Sequence, residues 1–282
     1  MLVVVDEASM ASQQLLEYMV NRTVQCKFLL VGDIYQLPPV GANISPMMTL
    51  GAKVSLLTQI MRTRKPDLEK VYEEARNTVV NDKGIYVPPP SENVKYIKMA
   101  EVANIITPTT KLIGYTNAHV NLCNLSARNA FGLSLTPVEG DVLSLEDTYE
   151  ENGKLLNYIS EEVVVKGNKT VTKLIADEEI KCYEILTEDG RTFVMSFDAS
   201  LRHQLMQHYS KAKRWPKFFA IKNKLADMRF THAITGHKSQ GSTYGDVIVM
   251  LSNMESCRNK SLLRRLLYVA YTRCTGTLYI VS

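Results

Sequence analysis

Residues 2–9 read Leu-Val-Val-Val-Asp-Glu-Ala-Ser (LVVVDEAS). Four apolar residues running into Asp6 and Glu7 predict a buried strand that delivers two carboxylates to the end of a sheet, where ligands of open α/β folds bind. Working outward, the pattern predicts a helix over about Ser12 to Val20 and a second strand over Phe28 to Val31. The unit is βαβ, closed by the turn GDIYQLPPVG at 32–41.

The same alternation returns further on. DLEKVYEEARN (67–77) has the spacing of a helix, whereas VPPPSEN (87–93) can continue neither a helix nor a central strand and marks a surface connection. Lys111 to Tyr115 predicts a strand, followed by a helix from near Asn117, whose side chain is placed to cap it. Between about 136 and 200 the character changes: EEVVVKG, IKCYEILTEDG and RTFVMSF alternate over short lengths, as in a small antiparallel β module. DVIVML (246–251) and TLYIVS (277–282) then predict buried strands around a helix at 261–271. The β module therefore reads as inserted into an α/β domain that resumes after it.

Composition narrows the class. A chain of 282 residues with 45% hydrophobic content can build one large core or two ordinary ones. No apolar run is long enough to span a bilayer, and the first twenty residues carry Asp6, Glu7 and Glu17 where a signal peptide has basic residues, which points to the cytosol. The five cysteines (26, 123, 182, 257 and 274) are odd in number and form no C-x-x-C pair, so they read as reduced and structural. The net charge of +4 is unevenly spread: from Glu139 to Glu162 there are eight acids against Lys154, and from Arg202 to Arg229 eight Lys or Arg against Asp227. In the basic stretch Trp215, Phe218 and Phe219 are interleaved with Lys211, Lys213, Arg214 and Lys217. That mix suits phosphate neutralisation with base stacking, and equally an amphipathic helix with its aromatics packed.

An apolar strand ending in Asp-Glu suits nucleotide hydrolysis: Asp6 to hold Mg²⁺, Glu7 to orient an attacking water. Gln36, on the turn after the second strand, offers an amide able to donate to a γ-phosphate oxygen and accept from that water. Each piece alone has an ordinary alternative, an acidic turn in one case and a Gly-Asp turn stiffened by Pro38 and Pro39 in the other. Further pieces follow in order: LLTQIMRTRKPD with Arg62 and Arg64, the polar loop ITGHKSQGSTYGD, and LLYVAYTRCTG with Tyr268, Thr272 and Arg273.

The series DEAS, GDxxQLPPV, LTQIMR, YTN, TGHKSQGS and LLYVAYTR resembles motifs II, III, IV, IVa, V and VI of superfamily 1 helicases, nearest to the RecD-like branch that includes the bacteriophage Dda helicase. The resemblance spans residues 2 to 281. It implies RecA-like P-loop NTPase domains, with the C-terminal portion of a truncated first domain at 1–60 and the second domain in two parts, 61–135 and 228–282. Between those parts it implies an inserted SH3-like β module with a basic helical extension at 136–227. The cofactors implied are ATP and Mg²⁺. Asp6 and Glu7 take the magnesium and water roles, Gln36 that of γ-phosphate sensor, and Arg62 and Arg273 reach ATP; Gly32, Asp33, Gln240 and Gly241 line the nucleotide. Thr116, Asn117, Thr235, His237 and Lys238 match positions used on single-stranded DNA, along which such helicases step 5′ to 3′. Replication or recombination proteins are the further partners implied, and no membrane.

His237 beside Lys238 and Ser239 suits a phosphate contact, which needs no proton-transfer partner. GHKS is not a phosphate-binding loop, because His237 and His232 stand where G-x-x-x-x-G-K-[ST] has its two glycines. No such loop occurs anywhere in the 282 residues. The expectation is that Met1 is a fragment boundary or internal start within a longer helicase, and that this chain alone hydrolyses ATP negligibly. Thr243 and Tyr244 also depart from the acidic residue that many relatives place after this motif to reach the ribose. Two readings stand: an ATP-dependent DNA helicase, favoured by Glu7, Gln36, Arg62 and Arg273 together, and a non-catalytic single-strand-binding remnant or accessory protein. Phosphate contacts do not by themselves separate DNA from RNA.

Overall fold

The computed structural model describes residues 1–282 except Val24, Val40, Asn43 and Asn152. Val40, the last residue of the GDIYQLPPV motif, thus lies outside the described residues. The chain forms two compact units, Met1–Cys123 with His232–Ser282, and Asn124–Thr231.

The first unit begins with β1 (Leu2–Val5), α1 (Gln13–Arg22) and β2 (Lys27–Leu30). Ser12 stands just outside α1 and accepts from the Leu15 N–H through its hydroxyl, satisfying one of the amides that a helix start leaves unpaired. β1 is parallel to β2, Val5 opposite Leu30. The strand is not buried as the apolar run suggested. Leu2 and Val4 are 61% and 57% exposed, because among the described residues β2 is the one partner strand and the outward face of the pair is uncovered.

The chain continues through α2 (Pro66–Val80), β3 (Val94–Ile97), α3 (Val102–Ile105), β4 (Lys111–Gly114) and α4 (Asn117–Ala130), which belongs to the second unit from Asn124 on. In α2, Pro66 occupies the first turn, where no backbone N–H is needed, and Asp67 and Glu69 complement the helix dipole. Its buried residues Leu68, Val71, Tyr72, Ala75 and Val79 recur at helical spacing and form one stripe. The cap of α4 is Thr116, whose Oγ1 accepts from the His119 N–H at 3.3 Å. Asn117 is already the first helical residue, so its side chain does not have the cap position predicted for it.

The second unit holds β5 (Val142–Leu145), β6 (Glu150–Glu151), β7 (Lys154–Leu155), β8 (Glu162–Ile175), β9 (Glu178–Thr187), β10 (Thr192–Ser196), α5 (Leu201–Lys211), α6 (Trp215–Lys224) and β11 (Met228–Phe230). Its five-stranded sheet runs β10-β9-β8-β5-β11, antiparallel throughout. Ala176 and Asp177 turn the long β8–β9 hairpin with φ of 55° and 68°, as a two-residue turn matched to strand twist requires. The basic stretch is two helices rather than one, broken where Lys213 takes φ 54°.

Returning to the first unit, β12 (Ala233–Thr235), β13 (Val247–Met250), α7 (Leu251–Glu255), α8 (Lys260–Thr272) and β14 (Leu278–Val281) complete the fold. The sheet order is β12-β4-β13-β14-β3, and every neighbouring pair is parallel. Val247, Ile248 and Val249 are fully buried, as expected of a central parallel strand covered on both faces. Gly276 lets β14 approach: a Cβ there would sit 2.4 Å from Asp246 Oδ1 and 2.8 Å from the Gly245 carbonyl oxygen. Cys123, Cys182, Cys257 and Cys274 are buried and Cys26 is half-buried; none is in a disulfide.

Candidate functional site

The end of β1 turns sharply. Glu7 adopts φ 49°, uncommon for a residue with a Cβ, and its N–H donates to Asp6 Oδ1 at 2.8 Å. The Ala8 N–H donates to the Val31 carbonyl, and a Cβ on Gly32 would meet the Ser9 backbone nitrogen at 2.9 Å. Gly32 therefore allows the chain after β2 to press against the turn that carries Glu7. From the other end of the unit, Gln240 Nε2 donates to Glu7 Oε2 at 3.1 Å, and Gly241, at φ 81°, leaves room for the same carboxylate. Gln240 Oε1 is buried with no hydrogen-bond partner among the described residues.

The GDIYQ turn is organised by Asp33. Its Oδ1 accepts from the Tyr35 N–H, and its Oδ2 accepts from the Tyr268 hydroxyl at 2.7 Å and from Gln36 Nε2 at 3.4 Å. Burial and the neighbouring Asp33 carboxylate hold the Tyr268 phenol well above its ordinary range, so it remains a donor. Arg265, which sequence reasoning did not single out, donates from Nη1 to the carbonyl oxygens of Ile34 and Gln36. The turn is thereby clamped onto α8.

Arg273 is fully buried and forms no ion pair among the described residues. Its Nε donates to the Val269 carbonyl at 3.1 Å and Nη1 to the Ser242 carbonyl at 3.0 Å, while Nη2 reaches Gln36 Oε1 at 3.4 Å. Burial, reinforced by nearby Arg62, brings its pKa down to about 10, so the guanidinium stays charged at neutral pH. Arg62 donates to the Thr272 carbonyl at 2.6 Å. Asp33, Gln36, Arg62, Tyr268 and Thr272 line a cleft of about 590 Å³. The predicted residues Glu7, Gln36, Arg62, Arg273 and Gln240 are thus brought together within one unit.

The second predicted group lies at the C-terminal ends of β4 and β12, the edge where parallel sheets bind ligands. Thr235 pairs with Gly114, and the Gly236 N–H donates to the Gly114 carbonyl at 2.8 Å, so Thr116 and Asn117 follow one strand end while His237 and Lys238 follow its neighbour. Thr235 is buried and accepts from the Lys238 N–H through Oγ1 at 3.3 Å; Asn117 is exposed. Burial lowers the pKa of His237 from its ordinary 6.5. Sequence reasoning missed Asn253 on α7. Its Oδ1 accepts from the N–H groups of Tyr115 and Thr116, and its Nδ2 donates to Thr116 Oγ1, which fixes the start of α4. Asn253 follows the run DVIVML (246–251) after Ser252, and nothing local in the sequence sets it apart.

The donor set fits a nucleoside triphosphate. A buried guanidinium with no ion pair among the described residues favours an anion, whereas Gln240 Oε1, an acceptor without a donor among the described residues, suits a water or a hydroxyl. No cluster of three or more His, Cys, Asp or Glu stands among the described residues. Adjacent carboxylates such as Asp6 and Glu7 suit Mg²⁺, which takes one or two carboxylates together with phosphate oxygens and waters. No described helix is long and apolar enough to cross a membrane.

Comparison with known proteins agrees with this chemistry. Residues 230–281 match the UvrD-like helicase C-terminal domain. Residues 1–85 match the family described as AAA domain. No curated protein matches the chain. Among solved structures it is similar to Pif1 helicase from Candida albicans, at 15% identity and a TM-score of 0.53, over 100% of this chain and 71% of that one. It is similar to Bacteroides Pif1 bound to ssDNA at 16% identity and a TM-score of 0.57, over 100% of this chain and 70% of that one. Bacteroides Pif1 in complex with ADP-AlF3 and ssDNA gives 16% and 0.50, over 100% and 70%. The α/β fold with its parallel sheet is that of the RecA-like domains of these helicases. The family matches thus place a helicase-type C-terminal domain at 230–281 and an AAA domain at 1–85, and the solved structures share the fold.

Proposed function

We propose that this chain serves an ATP-dependent DNA helicase or translocase of the Dda-like, RecD-related branch, moving 5′ to 3′ on single-stranded DNA. The observation that carries the reading is Arg273, a fully buried cation that forms no ion pair among the described residues and whose Nη2 reaches Gln36 Oε1 as well as Thr272 Oγ1. Such a charge suits a transferring phosphoryl group, which is what ATP supplies when bound. Asp6 would hold Mg²⁺, Glu7 would orient the attacking water and accept its proton, and Gln36 would sense the γ-phosphate. Arg62 and Arg273 would neutralise charge developing on the equatorial oxygens, and Gly32, Asp33, Gln240 and Gly241 would shape the pocket. Thr116, Asn117, Thr235, His237 and Lys238 would contact the DNA backbone.

In this reading residues 1–60 contribute to a first RecA-like domain, 61–135 and 228–282 to a second, and 136–227 form the SH3-like insertion with its helical extension. The 282-residue chain, in which no G-x-x-x-x-G-K-[ST] occurs, binds single strands but turns ATP over negligibly. DNA-stimulated turnover comparable to that of an intact helicase would overturn that statement. In a form of the protein that carries such a loop, Glu7→Gln should abolish turnover while leaving DNA binding intact; loss of binding instead would remove Glu7 from the water role. Lys238→Ala should weaken strand binding and lower the salt dependence of the affinity, each lost phosphate contact on a single strand reducing the slope by about 0.7.

A further inference from the structure

The α5–α6 junction of the second unit carries a surface that the proposed function leaves unused. Phe218 and Ile221 pack inward against the cluster containing Ile175, Ile180, Cys182 and Val194. Trp215 and Phe219, one helical turn apart, remain 49% and 52% exposed. Trp215 meets Phe218 edge-on with ring centroids 5.7 Å apart, and Phe219 meets the same ring at 5.2 Å. The inward-packed ring therefore braces two outer rings without covering them. Directly before them, Lys211, Lys213 and Arg214 are exposed and form no ion pair among the described residues. Lys217 differs, since it pairs with Asp177 at 2.9 Å and stands over the Tyr209 ring.

Neither half of this surface is explained by folding. The amphipathic alternative accounts for Phe218 but not for the two rings left open, and apolar area in contact with water favours a partner that covers it. Lys211, Lys213 and Arg214, which form no ion pair among the described residues, make that partner an anion, while the nearby Asp177 is taken up by Lys217 and Glu178 by the Tyr209 hydroxyl. Single-stranded nucleic acid is the ligand with both properties, since every base has a π-face to stack and every linkage a phosphate. We propose that residues 211–219 form a second binding surface for single-stranded nucleic acid, with bases stacking on Trp215 and Phe219 and phosphates meeting Lys213 and Arg214. The choice of nucleic acid over an acidic protein rests on the proposed function as well as on the paired rings.

Trp215 is the single tryptophan of the chain, so its emission reports this surface directly. The experiment titrates the full chain with labelled oligo(dT) and with an abasic strand of equal length, following label anisotropy and tryptophan emission together. Oligo(dT) should quench Trp215 and the abasic strand should not. Trp215→Ala and Phe219→Ala should each weaken oligo(dT) binding about fivefold or more, with Trp215→Phe largely restoring it. Lys213→Ala with Arg214→Ala should lower the salt slope by about 1.4, and Lys238→Ala should reduce affinity while the quench at saturation persists. Anisotropy showing binding, with unchanged emission and unchanged affinity in both ring variants, overturns this surface and leaves the proposed function standing; the patch then belongs to a protein contact. No binding by any form overturns both.

Discussion

Arg273 is held by backbone carbonyls rather than by a carboxylate, and this decides how it responds to substitution. In a form of the protein that carries a G-x-x-x-x-G-K-[ST] loop, Arg273→Lys keeps the charge but cannot span Val269, Ser242 and Gln36 together, so turnover should be lost even where the fold survives. Circular dichroism alongside an ATPase assay separates the two effects. His237 gives a prediction in pH. Burial places its folded pKa below 6.5, so the unfolded chain takes up the proton first as pH falls. Stability contributed by neutral His237 is present above 6.5 and is lost as pH drops from there through the folded value. Urea midpoints from about pH 8 to about pH 5 should fall less steeply in His237→Gln. The sequence itself pointed to these residues, because Gln36, Arg62 and Arg273 sit in ordered motifs. It could not reveal Arg265 or Asn253, whose partners Ile34, Gln36, Tyr115 and Thr116 lie far away along the chain.

At the level of elements, periodicity located α2, α8, β4, β13 and β14 because each buries a stripe or a continuous apolar run. It misjudged β1, since LVVV is the same string whether a strand is covered on two faces or left open on one. The cap of α4 was displaced by one residue because Thr116 and Asn117 both have capping side chains, and the bonds from Asn253 choose between them. Asn253→Ala leaves the Tyr115 N–H without its acceptor and should cost about 1–3 kcal/mol, read as a lower thermal midpoint together with weaker strand binding. Gly276→Ala drives a Cβ into the Gly245 backbone and should destabilise the β13–β14 edge by about 1–3 kcal/mol. Compensation by Asp246→Ala would be partial, because the carbonyl remains in the way.

For the whole molecule, the second unit depends on a buried cation of another kind. Arg128 is fully buried, donates to Asp141 Oδ1 at 2.7 Å and to the carbonyls of Ser134 and Thr136, and lies 3.8 Å over the Phe230 ring. Arg128 thus has a carboxylate partner and is structural, whereas Arg273 is held by neutral oxygens alone among the described residues. Asp141→Asn should destabilise the unit by about 3–5 kcal/mol by stranding the guanidinium, visible as early unfolding of its β-sheet signal. The antiparallel strands here were legible from the short alternating segments, whereas the two-helix break at Lys213 was not, because lysine rarely signals a left-handed turn. The cysteines have a practical consequence. Burial pushes the Cys123 thiol up to about 11 and Cys274 to about 12, and Cys182 is raised as well. A maleimide dye applied to the native protein should therefore couple near one equivalent, at Cys26, and five after denaturation. Replacing Cys26 by serine leaves a chain almost silent to thiol reagents, on which single reporter positions can be installed one at a time to follow motion by energy transfer.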